Sequence, residues 1–411
     1  MAEGARSIAR CVYREVPMNT SLIVTTDFHS NVPEGRALLA TLRKYRQAGG
    51  AVMVDAGDFF GGTAFHAFSQ GTVEERLLGD LYDALVPGNH DFSDLLRLRS
   101  PDRFPPVVCA NLRPPRGFSA RWESGLLLPG SAPRVGIVGY LGRQAYEAVP
   151  VQERAGFDFV DPTADLIAAE RDRLLSAGAD LVIGVSHSGF ALDVADQDND
   201  WPLSLVVSGH CHSTSYHWAS EDRHVIKAPE TGQGLLRLNL DSRGRHQFTV
   251  EALPTNSPAA SDGLEEEMAQ YTAWGAELIG ALPAPVPDRK DVACLLAQRA
   301  QVTTGADAFL MSLWALRQGL PQAITRRALM NCVPFDSDLV LLDGEYRVEG
   351  VVDQSRRIGE EPVLYHPAAG AGPAYSLATT SYLADRLGLT AQPIFPPCTL
   401  RGILTDLVTE T

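Results

Sequence analysis

The chain has 411 residues, of which 45% are hydrophobic, and this length favours two or three domains with sizeable cores. Its formal charge of −15 argues against a duplex nucleic-acid binder, because such proteins usually present a basic face. No run approaches the roughly 18 apolar residues of a membrane span. We therefore expect neither nucleic acid nor a membrane as a partner.

The cysteines and the first residues bear on location. The six cysteines are scattered, with no CxxC pair, which is typical of reduced intracellular proteins. The N-terminal stretch has no apolar segment of the kind found in secretory signals. We expect a cytoplasmic protein, and the sequence leaves its oligomeric state open.

Apolar runs alternate with helical patterns from residue 20 onward. Helices are predicted over residues 34–49, 72–85 and 161–178. Strands or strand ends are predicted over residues 21–27, 51–58, 84–91, 133–142, 179–189, 203–213, 224–230 and 234–241. This alternation, with continuous apolar strands, indicates an α/β domain whose sheet is buried on both faces.

The pattern changes after about residue 252, where a Pro/Ser-rich connection begins. We predict a catalytic domain over residues 1–262 and a connecting helix over residues 263–282. The remainder, residues 283–411, is predicted to be a smaller α+β domain.

Five short motifs lie at or just after the predicted strand ends. In an open α/β sheet, the loops at the carboxyl ends of the strands converge on one crevice. If the strands persist, alternation aims Asp27 with His29, and His210 with His212, in the same direction. The motifs are DFH (Asp27, His29), GD (Asp58), GNHD (Asn89, His90, Asp91), SHSG (His187) and GHCH (His210, His212).

The residue types in these motifs suit a pair of divalent metal ions. Carboxylate oxygen and neutral imidazole nitrogen are ligands for Mn, Zn, Co or Fe. A shared carboxylate between two such ions supports hydrolysis of a phosphate ester, since the ions activate water and neutralise phosphate. The sequence does not identify the metal.

The order D-x-H, GD, GNH[DE], isolated H and GHxH over about residues 20–240 resembles the calcineurin-like metallophosphoesterase superfamily. The resemblance implies a four-layer α/β/β/α sandwich with two divalent metal ions. The ligands that it implies for the first ion are Asp27, His29, Asp58 and His212. Those for the second are Asp58, Asn89, His187 and His210, with Asp58 as the bridge.

The same resemblance assigns His90 the role of a histidine that contacts phosphate without binding metal. The family usually has an aspartate three residues after this histidine, where this chain has Ser93. Asp91 and Asp94 are therefore the two predicted partners of His90 in catalysis.

Residues 304–348 resemble the C-terminal domain of the 5′-nucleotidase family, on the pattern of Asp307, Arg317, Ile324-Thr325 and Pro334-Phe335. A later segment with Tyr382 resembles the one that supplies a second aromatic ring. The resemblance implies that Phe335 and Tyr382 sandwich a base and that Arg317 clamps phosphate. Asn89 and Arg289 complete the predicted substrate contacts. The family has two further arginines upstream that this chain lacks, and Arg289 and Lys290 are the two candidates to replace them.

Departures from the family pattern fall mainly on substrate contacts. The turn before Arg317 lacks the usual glycines, and Ser337 replaces an expected asparagine. We therefore expect a metal-dependent phosphomonoesterase that converts nucleoside 5′-monophosphates, or a modified nucleotide, to nucleoside and phosphate. The alternatives are a cyclic-nucleotide phosphodiesterase, a nucleotide-sugar hydrolase or a thiosulfohydrolase-like enzyme on the same metal site, and a non-enzymatic nucleotide-binding protein.

Overall fold

The structure, a computed structural model, describes residues 20–129, 133–211, 216–240, 246–254, 263–344, 346–367 and 376–410. These residues form a larger N-terminal α/β domain and a smaller C-terminal α+β domain, each with its own buried hydrophobic clusters. Among them, no helix combines the length and the apolar composition needed to cross a bilayer.

The N-terminal domain alternates strands and helices along the chain. Its helices are α1 (Arg36–Ala48), α2 (Ala64–Ser69), α3 (Thr72–Leu81), α4 (Phe92–Leu95), α5 (Arg143–Ala148), α6 (Val151–Arg154), α7 (Ala164–Ser176) and α8 (Phe190–Gln197), with a 3-10 turn at Pro101–Arg103. Its strands are β1 (Thr20–Thr25), β2 (Ala51–Asp55), β3 (Ala84–Leu85), β4 (Val107–Val108), β5 (Leu112–Arg113), β6 (Trp122–Glu123), β7 (Gly125–Leu127), β8 (Val135–Leu141), β9 (Asp158–Phe159), β10 (Leu181–His187), β11 (Leu205–Ser208), β12 (His217–Ser220), β13 (Arg223–Lys227), β14 (Gly234–Leu240) and β15 (His246–Ala252).

Two mixed sheets face each other in this domain. One has the strand order β15-β14-β1-β2-β3-β4-β6, and the other has the order β12-β13-β11-β10-β8-β7. Leu22 and Val24 of β1 pack with Ile183 and Val185 of β10 in the core between the sheets. Ile23, one residue out of phase, packs instead in the cluster on the outer face of the first sheet. Period-two alternation thus divides the apolar strand residues between two cores.

Helices cover both outer faces. The cluster over the first sheet includes Leu38, Leu39 and Leu42 of α1 together with residues of α3. Helix α1 ends at Ala48 and is capped by Gly49, which has a φ of 72°. The cluster over the second sheet includes Ile167 and Leu174 of α7 with Phe190 of α8. The four-layer α/β/β/α sandwich implied by the resemblance is confirmed.

The C-terminal domain is built on a five-stranded sheet of order β20-β17-β21-β19-β22, with apolar clusters on its two faces. Its strands are β16 (Leu278–Ala281), β17 (Ala308–Ser312), β18 (Ala323–Thr325), β19 (Leu339–Leu342), β20 (Pro362–Tyr365), β21 (Leu377–Thr380) and β22 (Ala391–Pro393). Helix α9 (Glu265–Gly275) precedes this domain. The helices of the domain are α10 (Arg289–Thr304), α11 (Arg326–Cys332), α12 (Val348–Arg357), α13 (Ser381–Leu387) and α14 (Leu400–Thr409), with a 3-10 turn at Leu313–Ala315.

The predicted connecting helix over residues 263–282 is wrong in its second half. Helix α9 ends at Gly275, and the apolar residues that follow form strand β16. This strand pairs antiparallel with β18, so that Ala281 lies opposite Ala323. Pairing with a segment so far along the chain is not visible in the local pattern, and glycine is a poor residue for continuing a helix.

The two domains contact each other beside the loops that carry the motifs. Asn331 of α11 accepts a hydrogen bond from the backbone N–H of Ala64 at the start of α2 (2.7 Å). Tyr271 and Trp274 of α9, the helix between the domains, pack against aromatic rings of α2 in the N-terminal cluster. On another side of the interface, Arg386 of α13 lies 3.6 Å from Glu147 of α5.

Candidate metal centre and substrate site

The five motifs meet at the carboxyl ends of five strands, as the sequence predicts. Asp27 and His29 follow β1, Asp58 follows β2, Asn89 and His90 follow β3, His187 ends β10, and His210 follows β11. These strands belong to both sheets, so the loops close the same end of the sandwich. The arrangement is the crevice expected where parallel strands end in an α/β sheet.

The backbone of these loops is unusual. Among the described residues, nine non-glycine residues have positive φ, and five of them belong to this site: Asp27, His29, Ser30, Asp58 and His210. Such left-handed conformations cost on the order of 1–2 kcal/mol each and gather at functional sites. They also correct a prediction: β1 ends at Thr25 and β11 at Ser208, so tight turns, not strand alternation, aim the side chains.

Asp58 lies at the middle of the cluster. Its carboxylate is buried, with Oδ2 at 3.2 Å from Nε2 of His187 and 3.8 Å from Nε2 of His29. Its Oδ1 accepts a hydrogen bond from the backbone N–H of His90 (2.8 Å). Asp58 therefore stands between two sets of potential ligands, as the predicted bridge requires.

The predicted second metal position has donor atoms that fit a cation. One ligand atom from each of Asp58, His187 and His210 lies within 4.8 Å of the others. Asn89 Oδ1 and His210 Nδ1 are buried and accept no hydrogen bond from the described residues. Unsatisfied buried acceptors are costly unless something else fills them, and two such atoms beside a carboxylate and an imidazole fit a divalent ion.

His187 is held in the orientation that this position needs. Its Nδ1 is 2.8 Å from the backbone carbonyl of Ala56, which directs Nε2 towards Asp58. Gly88 gives the two loops room to approach, because a Cβ at this residue would lie 2.2 Å from Asp58 Oδ1.

The charges in the cluster depend strongly on each other. Burial opposes ionisation of Asp58, but His187, His90 and His29 together hold its pKa well below the usual value. Burial lowers the pKa of His90 to about 4 and that of His210 to about 4. Burial acts in the same sense on His187, yet the carboxylate of Asp58 raises its pKa to about 9. An ion at this position would replace the His187 proton, since a metal ligand must be deprotonated.

At the predicted first metal position, one predicted ligand is already hydrogen-bonded by other protein groups. Atoms of His29, Asp58 and His90 lie within 4.8 Å of one another. Asp27, in contrast, already accepts hydrogen bonds from Thr26 Oγ1 (2.6 Å), Lys227 Nζ (3.1 Å) and the backbone N–H of His210 (3.0 Å). His212, the remaining predicted ligand, lies outside the described residues.

The two predicted carboxylate partners of His90 have other roles. Asp91 accepts hydrogen bonds from the backbone N–H groups of Asp58 (3.0 Å), Phe60 (3.0 Å) and Gly88 (2.7 Å), and so ties two ligand loops together. Asp94, on the short helix α4, faces α2 and contacts Nε2 of His66 (3.0 Å). Within the described part of the chain, neither carboxylate is hydrogen-bonded to the His90 ring, so the structure does not pair them with it.

The C-terminal domain brings two of its predicted residues to the metal ligands. The ring of Phe335 stacks on that of His90, with centroids 4.3 Å apart and an interplanar angle of 13°. The guanidinium carbon of Arg317 lies 5.4 Å from the centroid of the Phe335 ring. The charge of Arg317 interacts with Asp58 and Asp27, while burial lowers its pKa. A basic group and an aromatic ring therefore border the ligand cluster.

Arg289 and Tyr382 are held within the C-terminal domain. Arg289 lies over the ring of Trp314 (5.0 Å) and donates a hydrogen bond to the carbonyl of Leu316 (3.3 Å). The hydroxyl of Tyr382 donates to Glu360 (3.0 Å). Among the described aromatic residues, the rings of Phe335 and Tyr382 are not in contact, although the backbone N–H of Tyr382 reaches Ser337, two residues after Phe335 (3.2 Å). The base sandwich stays a prediction.

Lys227 is the site residue that sequence reasoning missed. It is fully buried on β13 and contacts Asp27. The available signal was a single lysine inside the apolar run HVIKAP, since lysine is almost never fully buried unless it is paired.

Comparison with known proteins agrees with this geometry. Residues 20–214 match the calcineurin-like phosphoesterase family. The snake venom 5′-nucleotidase of Naja atra is 31% identical over 179 residues, which cover 40% of this chain and 32% of that protein. The chain thus spans about a third of the length of that curated relative.

Solved structures match over nearly the whole chain. The 5′-nucleotidase precursor of Thermus thermophilus has a TM-score of 0.75, with 95% of this chain and 96% of that chain covered at 17% identity. The sulfate thiohydrolase SoxB of the same organism has a TM-score of 0.77, with 97% and 95% covered at 14% identity. At these identities the likeness shows the fold alone, and it confirms the two-domain architecture.

Proposed function

We propose that the protein is a metal-dependent phosphomonoesterase that hydrolyses nucleoside 5′-monophosphates to nucleoside and phosphate, because residues 20–214 match the calcineurin-like phosphoesterase family. The observation that carries the proposal is the placement of Phe335 on His90, with Arg317 alongside, at the edge of the Asp58 cluster. One small nucleotide would fit this arrangement, with its phosphate beside the metal ligands and its base beside the Phe335 ring.

The ligand sets fit two divalent ions to different degrees. The Asp58, Asn89, His187 and His210 set offers buried acceptors that nothing described fills. Asp27 and His29 would hold the other ion. When bound, the ions would supply the positive charge that stabilises the transferred phosphoryl group and makes water more acidic.

Each remaining residue has a defined task in this proposal. His90, held by its backbone bond to Asp58, would donate a ring N–H to a phosphoryl oxygen. Arg317 would clamp the phosphate with two parallel N–H groups, which is the geometry that guanidinium offers and ammonium does not. Phe335 would stack on the base, a contact worth about 1–3 kcal/mol.

The test compares a nucleotide with its sugar phosphate. Phosphate release is measured from AMP and from ribose 5-phosphate, with Mn²⁺ or Co²⁺ added, for the wild-type protein and for Phe335→Leu. We expect the substitution to raise KM for AMP by about tenfold and to leave ribose 5-phosphate nearly unchanged, because only the base meets the ring. His90→Asn is the inactive control, and failure to release phosphate from any nucleoside monophosphate above that control refutes the proposal.

One observation favours a second candidate. Tyr382 is tied to Glu360 and does not contact Phe335, so the described residues do not form a two-sided base site. A substrate without a base, such as a simple phosphodiester or a thiosulfate ester, could be processed on the same metal centre and would not need that sandwich. Faster turnover of bis-p-nitrophenyl phosphate than of p-nitrophenyl phosphate would favour the diester. Release of sulfate and a thiol from a thiosulfate ester, RS–SO3−, on addition of water would favour the sulfur chemistry.

A further inference from the structure

Lys227 introduces a positive charge into one metal position and not into the other. Its side chain is fully buried on β13, and Nζ lies 3.1 Å from Asp27 Oδ2 and 3.1 Å from Glu230 Oε2. Nothing in the proposed hydrolysis uses this ammonium group. Its main contact in the site is a carboxylate that the same proposal assigns to a metal ion.

The acceptor capacity of Asp27 is nearly filled. A carboxylate oxygen accepts about two hydrogen bonds. Oδ2 accepts from both Thr26 and Lys227, and Oδ1 accepts from the backbone N–H of His210. One lone pair of Oδ1 remains for an ion unless Lys227 is displaced. Displacement is unfavourable, because the buried ammonium would lose one of its two carboxylate partners and gain no water.

The other position has the opposite character. Asn89 Oδ1 and His210 Nδ1 are buried acceptors without a described donor, and Nε2 of His187 faces the carboxylate of Asp58. The ion pairs described for Asp58 are with His29 and His187, and the charge of Arg317 acts on both Asp58 and Asp27. An ion arriving there reaches buried acceptor atoms of Asn89 and His210 that have no described donor, and it displaces a proton from His187 but no lysine or arginine side chain.

We propose that Lys227 makes the two metal positions unequal, so that the Asp58, Asn89, His187 and His210 position fills first and tightly. The Asp27 and His29 position then binds its ion more weakly, because Lys227 holds Asp27 and repels a second cation. This inference rests on the two-ion site of the proposed function. It implies that the protein retains one ion on purification and acquires the second only at added metal.

The experiment measures metal binding without substrate. Protein stripped with a chelator is titrated with Mn²⁺, and free Mn²⁺ is counted by electron paramagnetic resonance while bound metal is checked by elemental analysis. In the wild-type protein we expect two ions with dissociation constants at least about tenfold apart. In Lys227→Gln, the weaker ion should bind at least about tenfold more tightly, and the tighter ion should change by less than about threefold.

Two further variants sharpen the result. Lys44→Gln removes the same charge from the exposed face of α1 and should leave both constants unchanged. Glu230→Gln leaves Asp27 as the remaining carboxylate within the ion-pair distance described for Lys227, so the weaker ion should bind more weakly still. The opposite responses of Lys227→Gln and Glu230→Gln cannot arise from a general loss of stability. Thermal melting of each variant verifies folding. If Lys227→Gln does not fold, the affinity of the weaker ion in Glu230→Gln decides whether the proposal holds.

The results separate this inference from the proposed function. Two ions of equal affinity in the wild-type protein, or a gap that Lys227→Gln leaves unchanged, overturn the role of Lys227 while the phosphatase proposal stands. Binding of no Mn²⁺ by any variant overturns both.

Discussion

The two sides of the proposed active site differ in how far their side chains are already engaged by the protein itself. On the N-terminal side, Asn89 and His210 keep buried acceptor atoms without a described donor. On the C-terminal side, Arg289 is held by Trp314 and Tyr382 by Glu360. Unfilled acceptors fit a centre that binds metal, whereas Arg289 and Tyr382 are engaged by side chains of their own domain. The metal chemistry is therefore better defined by this structure than the choice of substrate.

The largest effect is expected from removing the shared carboxylate. Asp58→Asn should lower kcat/KM by on the order of a thousandfold, because both predicted ligand sets include this residue. Bound metal should fall below one ion per chain, as measured by elemental analysis alongside phosphate release. Retention of both ions with normal activity would contradict the central position of Asp58.

The second test changes a glycine that lets two ligand loops approach each other, and it leaves every predicted ligand in place. In Gly88→Ala the new Cβ would meet Asp58 Oδ1 at 2.2 Å, so the ligand loops must separate. We expect a loss of about 10- to 100-fold in activity and a lower melting temperature, as for other changes beside metal ligands. Gly350→Ala is the matched control, since nothing lies within 4 Å of its Cβ and alanine favours the helix that contains it. Equal behaviour of the two variants would show that the close approach at Gly88 is unimportant.

The third test separates the two arginines of the C-terminal side. Arg317→Lys should raise KM for a nucleoside monophosphate by about tenfold, because lysine cannot form the bidentate contact with phosphate. Arg289→Lys should change KM by less than about threefold, since Arg289 stacks on Trp314. Steady-state kinetics of both variants on one nucleoside monophosphate gives the two KM values. A larger rise in KM for Arg289→Lys than for Arg317→Lys would assign the phosphate contact to Arg289 instead.

Tyr382 provides a smaller effect with an informative pattern. Tyr382→Phe removes the hydrogen bond to buried Glu360, which should cost about 1 kcal/mol of stability. Tyr382→Leu also removes the ring. If the ring stacks on a base, only the leucine variant raises KM for AMP relative to ribose 5-phosphate. Equal KM values in both variants would remove Tyr382 from the base site.

The smallest effect concerns pH and the contact between His66 and Asp94. Burial alone would lower the pKa of His66, but the hydrogen bond to Asp94 raises it above the ordinary 6.5. Protonated His66 therefore stabilises the folded state below the ordinary pKa, and this contribution is lost as the pH rises through the raised value. The melting temperature of wild-type protein should exceed that of His66→Gln by more at about pH 5.5 than at about pH 8.5. A difference that is the same at both values would exclude this contribution.

Much of the N-terminal domain could be predicted because its signals are local. Apolar strands followed by Asp58, Asn89 and His187 carry both the element and its ligand in one short segment. Strand lengths were less predictable, since β1 and β11 stop before their motifs and left-handed turns follow. Such turns at aspartate and histidine have no clear local signature, because glycine is the residue that usually adopts them.

What the sequence did not show depends on contacts between distant segments. Strand β16 exists because it pairs with β18, and Asp94 is occupied because α4 brings it to His66. The contact of Lys227 with Asp27 joins residues 200 positions apart. Local periodicity carries no information about these pairings.

The left-handed backbone at Asp27, His29, Ser30, Asp58 and His210 has an evolutionary consequence. Glycine or asparagine at these positions would relieve strain and so favour a more stable fold, but each replacement of a ligand would remove an imidazole or a carboxylate. Stability and chemistry therefore select for different residues at the same positions. The described positive-φ residues other than glycine all lie in the N-terminal domain, so Arg317, Phe335 and Tyr382 face no such conflict between backbone conformation and side chain.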